Sequence, residues 1–217
     1  MIINPVTVQH PFDTYAITSD DPSSITVSDS TVASITGNTI HALKNGRITV
    51  KFQLMGMTHE MPIFCYHKTD TRELETNNTK STATLLKENT FLKADLFEND
   101  VDYFKINLKQ STVLDLAFLP FSNTTLVNIK IFDPFSNQMA WDESSHGKPL
   151  IMPLSLSKGI YYIQIQYSDA SYIDHDTPSY IIAYQSYQKP YDLRQMEYEP
   201  NNAPHVSDFL QNNTIKK

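Results

Sequence analysis

Residues 100–108 read DVDYFKINL, and this stretch decides the fold class of the chain. From Tyr103 to Leu108, apolar and polar residues alternate with the period of two that is typical of a half-buried β-strand. Similar short runs, rich in β-branched and aromatic residues, lie on both sides of it. They predict eight strands, at 91–96, 103–108, 112–119, 126–132, 138–141, 150–154, 160–167 and 179–187. Eight short strands at this spacing indicate a β-sandwich.

The first part of the chain is also strand-like. The turn pairs Gly37-Asn38 and Asn45-Gly46 separate its alternating segments. Six strands are predicted there, at 14–18, 24–27, 32–35, 39–43, 48–54 and 61–67. We therefore expect an all-β chain with one domain at 1–68, a second at 69–190 and a linker with an incomplete repeat at 191–217. One helical turn is expected, at 81–87.

The composition limits the classes of partner. The chain has 217 residues and a formal net charge of -7, which disfavours nucleic acid and anionic membranes as partners. No apolar run approaches the length of about 20 residues that a membrane helix needs, so we expect no membrane insertion. The single cysteine, Cys65, lies in an apolar run and is expected to be buried.

An acidic motif occurs twice in the chain. Residues 73–78 read ELETNN and residues 197–202 read EYEPNN, an offset that suits one module plus its linker. We therefore interpret the segment from Glu73 to about residue 190 as one complete unit. The second copy is interpreted as the start of another unit.

The first part resembles the bacterial Ig-like group 2 domain. The resemblance rests on residues 28–35, which read SDSTVASI, on TIHAL at 39–43 and on the Asn45-Gly46 turn before ITV at 48–50. The tryptophan of the family's upstream strand is not evident, and Tyr15 stands near its place. The resemblance implies an Ig-like β-sandwich.

The second part resembles the bacterial pre-peptidase C-terminal domain. The four motifs that carry the resemblance are ELETNN at 73–78, Ala83, DVDYF at 100–104 and GIYY at 159–162. The resemblance implies a jelly-roll-like β-sandwich attached to secreted peptidases and adhesins. Its relatives include collagen-binding domains of clostridial collagenases, which suggests a fibrous-protein or polysaccharide ligand.

The acidic motifs also suggest a metal site. Calcium prefers six to eight oxygen ligands, and alternate positions of an extended segment place such donors on one face. Because related domains bind calcium through this pattern, the resemblance implies that calcium is bound. The predicted ligands are Glu73, Glu75, Asn77, Asp100 and Asp102, with Asp95, Glu98 and Asn99 as weaker candidates. The alternative is a solvated acidic linker in which Asn77 and Asn78 only cap a turn.

Catalytic motifs are not evident. His59-Glu60 lacks the second histidine of a zinc-protease helix, and there is no Gly-x-Ser-x-Gly elbow. Asp174-His175-Asp176 could hold a metal or serve as acid and base, but we interpret it as part of a polar hairpin loop. We therefore expect no enzyme activity.

Tyrosines crowd the final strands, and alternation should direct some of them outward. Tyr161, Tyr180 and Tyr184 are the candidate contacts for a fibrous or sugar ligand, whereas Trp141 is expected to lie in the core or to pack between strands. The sequence thus predicts a non-catalytic accessory segment of a secreted or cell-surface bacterial protein, acting in adhesion or substrate targeting. The alternatives are the C-terminal part of a secreted peptidase and a ligand-free structural stalk.

Overall fold

The computed structural model describes residues 14–17, 19–122, 124–144, 148–168 and 179–187. Within these ranges the chain is all-β, with sixteen strands and one short 3-10 turn at Pro22–Ser24. It forms two compact units. Among the described residues, the first runs to Thr71 and includes Asn89–Phe91, and the second comprises Arg72–Glu88 and the residues from Leu92 to Tyr187. The division lies three residues beyond the boundary expected at residue 68.

The first unit consists of two three-stranded antiparallel sheets. Its strands are β1 (Thr14–Ala16), β2 (Thr26–Val27), β3 (Ala33–Thr36), β4 (Thr39–Ala42), β5 (Gly46–Leu54) and β6 (Met57–Cys65). One sheet has the order β1-β4-β3 and the other β2-β5-β6. Alternate apolar side chains form a buried core that includes Ile40, Ile48, Val50 and Cys65. The burial of Cys65 was predicted, and it raises the pKa of that thiol to about 11.

The two predicted glycine turns lie at connections between strands of the first unit. Gly37 has a φ of 60° in the β3–β4 turn, a conformation that glycine adopts without steric cost. Gly46 starts β5 where a Cβ atom would meet Cγ1 of Val32 at 3.0 Å, so a side chain at this position would crowd the core. The predicted turn residues are therefore explained by backbone conformation and by packing.

The second unit is built from two five-stranded sheets. Its strands are β7 (Thr71–Arg72), which begins at the last residue before the division, β8 (Thr84–Leu85), β9 (Leu92–Asp95), β10 (Asp102–Leu108), β11 (Thr112–Pro120), β12 (Val127–Phe132), β13 (Gln138–Ser144), β14 (Leu150–Leu156), β15 (Gly159–Tyr167) and β16 (Ser179–Tyr187). One sheet has the order β13-β12-β15-β10-β8, and the other has the order β14-β11-β16-β9-β7. All eight strands predicted for this part are present.

The two sheets of the second unit share one apolar core. Its largest members include Phe104, Phe118, Tyr161 and Tyr180, which are almost fully buried. In β12 every second residue is buried, as expected for a strand with one face on the core. In β11, by contrast, all eight residues from Val113 to Pro120 are buried, so this strand is covered on both faces.

The prediction of a helical turn at 81–87 is wrong. A turn at 79–82 is followed by β8, which pairs in parallel with β10 through the Thr84 and Phe104 positions. The Thr82 hydroxyl bonds the backbone of Thr79, and threonine is a poor helix former. The local sequence therefore favours a turn and a short strand.

Several expectations fall on residues that the structure does not describe. They are the Asp174-His175-Asp176 loop and the segment 191–217 with its second acidic motif. In the described ranges, no helix is long and apolar enough to cross a membrane.

Candidate metal centre

The first acidic motif runs between β7 and β8 and is held against the second sandwich. The Glu73 amide donates to the Lys93 carbonyl at 3.0 Å, and the Leu74 amide donates to the Thr84 hydroxyl at 3.1 Å. Four residues further on, the Asn77 carbonyl accepts a hydrogen bond of 2.9 Å from the amide of Tyr103 at the start of β10. The motif is therefore an ordered part of the fold and lies beside the DVDYF segment.

This arrangement brings three carboxylates together. One oxygen from each of Glu73, Glu75 and Asp102 lies within 4.8 Å of the other two. Asp102 is fully buried, Glu73 is partly buried and Glu75 is exposed. The group therefore has one side in the protein interior and one side toward solvent.

Each carboxylate of the group accepts at least one hydrogen bond. Glu73 accepts from the Asp95 amide at 2.7 Å and from the Asn77 side-chain amide at 2.9 Å. Glu75 accepts from the Asn77 backbone amide at 3.1 Å. Asp102 Oδ2 accepts from the hydroxyl of Tyr180 at 2.6 Å. These bonds fix the orientation of each carboxylate without neutralising its charge.

Two buried oxygens beside the group have no hydrogen-bond donor among the described residues. They are Oδ1 of Asn77 and Oδ1 of Asp102, and both residues are fully buried. A buried acceptor without a partner costs about 1–3 kcal/mol, and more when it is charged. A cation in contact with both atoms would remove that cost. Because every candidate ligand atom is an oxygen, these residues fit a hard divalent cation such as calcium.

The raised pKa values of two of the clustered carboxylates also favour a bound cation. Burial, assisted by the charges of Glu73, Asp100 and Glu75, raises the pKa of Asp102 to about 9. Burial and the neighbouring charges of Glu75 and Asp95 raise the pKa of Glu73 to about 7. The metal-free protein therefore resists full ionisation of this group, as expected for carboxylates that lack a counter-ion.

The other predicted ligands lie around the group. Oδ1 of Asp100 accepts hydrogen bonds from the Asn78 side chain and the Val101 amide, both at 2.9 Å, and Asp100 is not one of the three clustered carboxylates. Asp95 accepts a hydrogen bond from the Ser179 hydroxyl. Glu98 and Asn99 lie in the turn before β10, where Asn99 has a φ of 62°. The ligand roles of Glu73, Glu75, Asn77, Asp100 and Asp102 all stay predictions.

The prediction that Tyr161, Tyr180 and Tyr184 contact a ligand at the surface is wrong. All three side chains are buried in the core of the second unit. Tyr180 and Tyr184 lie at alternate positions of β16 and share the core-facing side of the strand with Ile182. The role of Tyr180 was not predicted: its hydroxyl donates a hydrogen bond to Asp102, one of the three clustered carboxylates.

The expectation for Trp141 is also wrong. Its side chain is 61% exposed on β13, an edge strand of its sheet. Position 141 pairs with Lys130 on β12, and both residues are on the face of the sheet away from the core. The polar partner Lys130 indicates an outward position, but it is known only once the strand register is known.

Comparison with solved structures gives distant similarities. The pre-peptidase C-terminal domain of a collagenase from Bacillus anthracis is 16% identical over 48% of this chain and 94% of that domain, with a TM-score of 0.40. A Clostridium perfringens structure containing CBM51-2 in complex with GlcNAc is 12% identical over 82% of this chain and 47% of that one, with a TM-score of 0.28. A structure of carbohydrate-binding modules from the β-sandwich superfamily is 11% identical, covers 71% of this chain and 80% of its own, and has a TM-score of 0.25. No protein-family model and no curated protein matches the chain.

Proposed function

We propose that the second unit is a calcium-binding, non-catalytic accessory module of a secreted or cell-surface bacterial protein. In this function the module supports adhesion or the targeting of a substrate, and the first unit acts as a spacer. One observation carries the calcium part of the proposal. Two buried oxygens, Oδ1 of Asn77 and Oδ1 of the clustered carboxylate Asp102, have no hydrogen-bond donor in the part of the chain that the structure describes.

Calcium would be held by Glu73, Glu75, Asn77 and Asp102, with Asp100 as a further candidate. The bound ion would supply positive charge where the fold concentrates negative charge, and it would link the motif before β8 to the first residue of β10. Its contribution is therefore to stability and to the order of this end of the sandwich. Modules outside the cell commonly bind calcium with dissociation constants of about 0.1–1 mM.

Thermal unfolding in EDTA and in millimolar calcium tests the proposal. At free calcium 100 times the dissociation constant, mass action adds about 2.7 kcal/mol to the free energy of unfolding. For a chain of this size we expect a rise in melting temperature of roughly 5–10 °C.

Two variants separate a specific site from general charge effects. Asp102→Asn should abolish the calcium-dependent rise, yet in EDTA it should be at least as stable as the parent, because it removes a buried acid that resists ionisation. Asp142→Asn removes an exposed carboxylate from β13 and should keep the full rise. An equal rise in all three proteins, or none in the parent, would contradict the calcium site.

The two alternative functions, a segment of a secreted peptidase and a ligand-free stalk, predict different observations. A segment of a secreted peptidase predicts a protease domain encoded in the same open reading frame. A ligand-free stalk predicts no binding to any extracellular polymer.

A further inference from the structure

One open face of the second unit carries an ordered row of side chains. The register aligns Tyr103 on β10 with Gln164 on β15, Gln164 with Lys130 on β12, and Lys130 with Trp141 on β13. We call these four residues the cross-strand row. The adjacent residues Phe104, Ile163, Ile165, Ile129 and Ile131 all lie in the core. The row is therefore on the opposite, outward face of the sheet.

We propose that the cross-strand row binds an acidic polysaccharide, a β-linked sugar chain that bears carboxylate groups. The inference rests on the proposed accessory function and names the ligand class. It does not require the calcium site.

The spacing of the row suits a sugar chain. Neighbouring strands lie about 4.7–4.9 Å apart, so the backbone positions of Tyr103 and Trp141 are separated by roughly 14 Å. In an extended β-linked polysaccharide, the length of one sugar unit is similar to the spacing between neighbouring strands. A chain that lies across the strands therefore meets one side chain of the row at each sugar.

The chemistry of the row also suits sugars. Trp141, at 61% exposed, and Tyr103 offer aromatic surfaces at the two ends, on which the apolar face of a pyranose ring can stack. Gln164 donates a 2.7 Å hydrogen bond to the Tyr103 hydroxyl, which orients both groups. In the next row, Asn128 and Gln166 pair and add amide groups for sugar hydroxyls.

Charge selects an acidic sugar over a neutral one. Lys130 lies in the centre of the row and Lys105 lies on the same face, and neither has a carboxylate partner within the described ranges. Glu143 is a carboxylate on this face, beside the edge and opposite Asn128. Cations thus occupy the middle of the face, although the whole chain has a net charge of -7. This local reversal complements a carboxylated polymer.

The neighbouring aromatic pair is not equally available. Nζ of Lys80 lies 4.5 Å from the ring centroid of Phe132 and 5.4 Å from that of Tyr162, and it donates to the Ser136 hydroxyl. Lys80 therefore covers these rings. A ligand can reach the aromatic side chains of the cross-strand row without displacing Lys80.

Trp141 is the only tryptophan of the chain, so its fluorescence reports directly on this row. Titration of the full chain with hyaluronate in excess calcium should shift the emission to shorter wavelength and change its intensity. Carboxymethylcellulose should bind more tightly than hydroxyethylcellulose, which shares its backbone but lacks the carboxylates. Polyglutamate, a polyanion without sugar, should bind much more weakly than either carboxylated polysaccharide.

Affinity electrophoresis of variants tests the residues. Trp141→Ala should weaken hyaluronate binding at least tenfold, and Lys130→Gln should weaken it severalfold and reduce its dependence on salt. Phe97→Ala removes an exposed aromatic side chain from the β9–β10 loop and should have no effect.

The proposal is overturned if Trp141→Ala binds hyaluronate as the parent does, if polyglutamate binds equally well, or if the face binds collagen and no polysaccharide. Melting temperatures of the same samples with and without calcium report on the metal site separately. A calcium-dependent rise without polysaccharide binding rejects the ligand class alone. Binding without that rise rejects the calcium site alone.

Discussion

The hydroxyl of Tyr180 donates a hydrogen bond of 2.6 Å to Oδ2 of Asp102 inside the core of the second unit. Tyr180 lies on β16 and Asp102 begins β10, so the bond connects the two sheets. The ring of Tyr180 also packs edge-on against Phe104 and lies 5.0 Å from the ring of Phe118. One tyrosine thus belongs both to the apolar core and to the candidate metal centre.

Tyr180→Phe keeps this packing and removes the donor. The second oxygen of Asp102 then lacks a partner, so the free energy of unfolding in EDTA should fall by about 1–3 kcal/mol. Calcium should bind more weakly as well, because the hydroxyl no longer stabilises the carboxylate form. Denaturant unfolding with and without calcium measures both effects.

Tyr184→Phe is the matched control for that change. It removes a hydroxyl from the same face of β16 without touching Asp102. If both variants lost equal stability and equal calcium response, the bond between Tyr180 and Asp102 would have no special role.

The acidic cluster should make stability depend on pH in the absence of metal. The pKa of Glu73 is raised to about 7 and that of Asp102 to about 9, whereas carboxyl groups of the unfolded chain titrate near 4. The folded protein therefore binds protons more tightly than the unfolded chain. Stability from these groups is fully present below about pH 4 and is lost as pH rises through 7 and 9.

Calcium should reverse that trend, because it competes with protons for the same oxygens. The stabilisation by calcium should grow between pH 5 and 9, whereas the stability in EDTA declines. Melting temperatures measured across this pH range at constant ionic strength test the prediction. Asp102→Asn should flatten the decline in EDTA, and an unchanged slope would show that other groups cause it.

Fourteen of the sixteen described strands could be predicted from the sequence. Strand alternation and turn chemistry are local, so they are readable without tertiary information. The proximity of Glu73, Glu75 and Asp102 was predictable only through the resemblance that joined the motifs. The two-residue strands β7 and β8 were missed, since their pairing depends on distant partners and leaves no periodic pattern.

Which face each aromatic residue occupies was the part that sequence could not supply. A tyrosine suits a core and a surface equally well, and a strand register one residue away exchanges the two faces. Tyr161 was therefore assigned outward although it is buried, and Trp141 was assigned inward although it is exposed.

Substitution of Tyr161 tests its corrected position. The side chain is 1% exposed and packs in the core, and its hydroxyl donates to the Ser157 carbonyl at 3.1 Å. Tyr161→Ala should reduce the free energy of unfolding by about 3–5 kcal/mol, as for other large buried aromatic residues. Tyr161→Phe should cost only about 0.5–1.5 kcal/mol. A loss of stability well below this range for Tyr161→Ala in denaturant unfolding would contradict the buried position of Tyr161.

In the first unit, the side chain of Asn45 forms hydrogen bonds with the segment that follows the last strand, β6. Oδ1 of Asn45 accepts from the amides of His67 and Lys68 at 2.7 and 3.0 Å, and Nδ2 donates to the Lys68 carbonyl at 2.6 Å and to Asp70 at 3.0 Å. Asn45→Ala removes all four bonds. We expect a loss of about 1–3 kcal/mol, because exposed hydrogen bonds contribute less than buried ones. Amide hydrogen exchange at residues 67 and 68 should accelerate, which localises the effect.

Asn45→Asp separates the two halves of this arrangement. It keeps the acceptor for His67 and Lys68 but replaces the donor by an oxygen, which then faces the carboxylate of Asp70. The exchange of the two amides should stay slow, while overall stability falls and recovers in part at high salt, where the repulsion is screened. Asn38→Ala, at the exposed β3–β4 turn, should change stability by no more than about 0.5 kcal/mol. Fast exchange at His67 and Lys68 in Asn45→Asp would mean that the donor to Lys68 and Asp70, and not the acceptor, holds this segment.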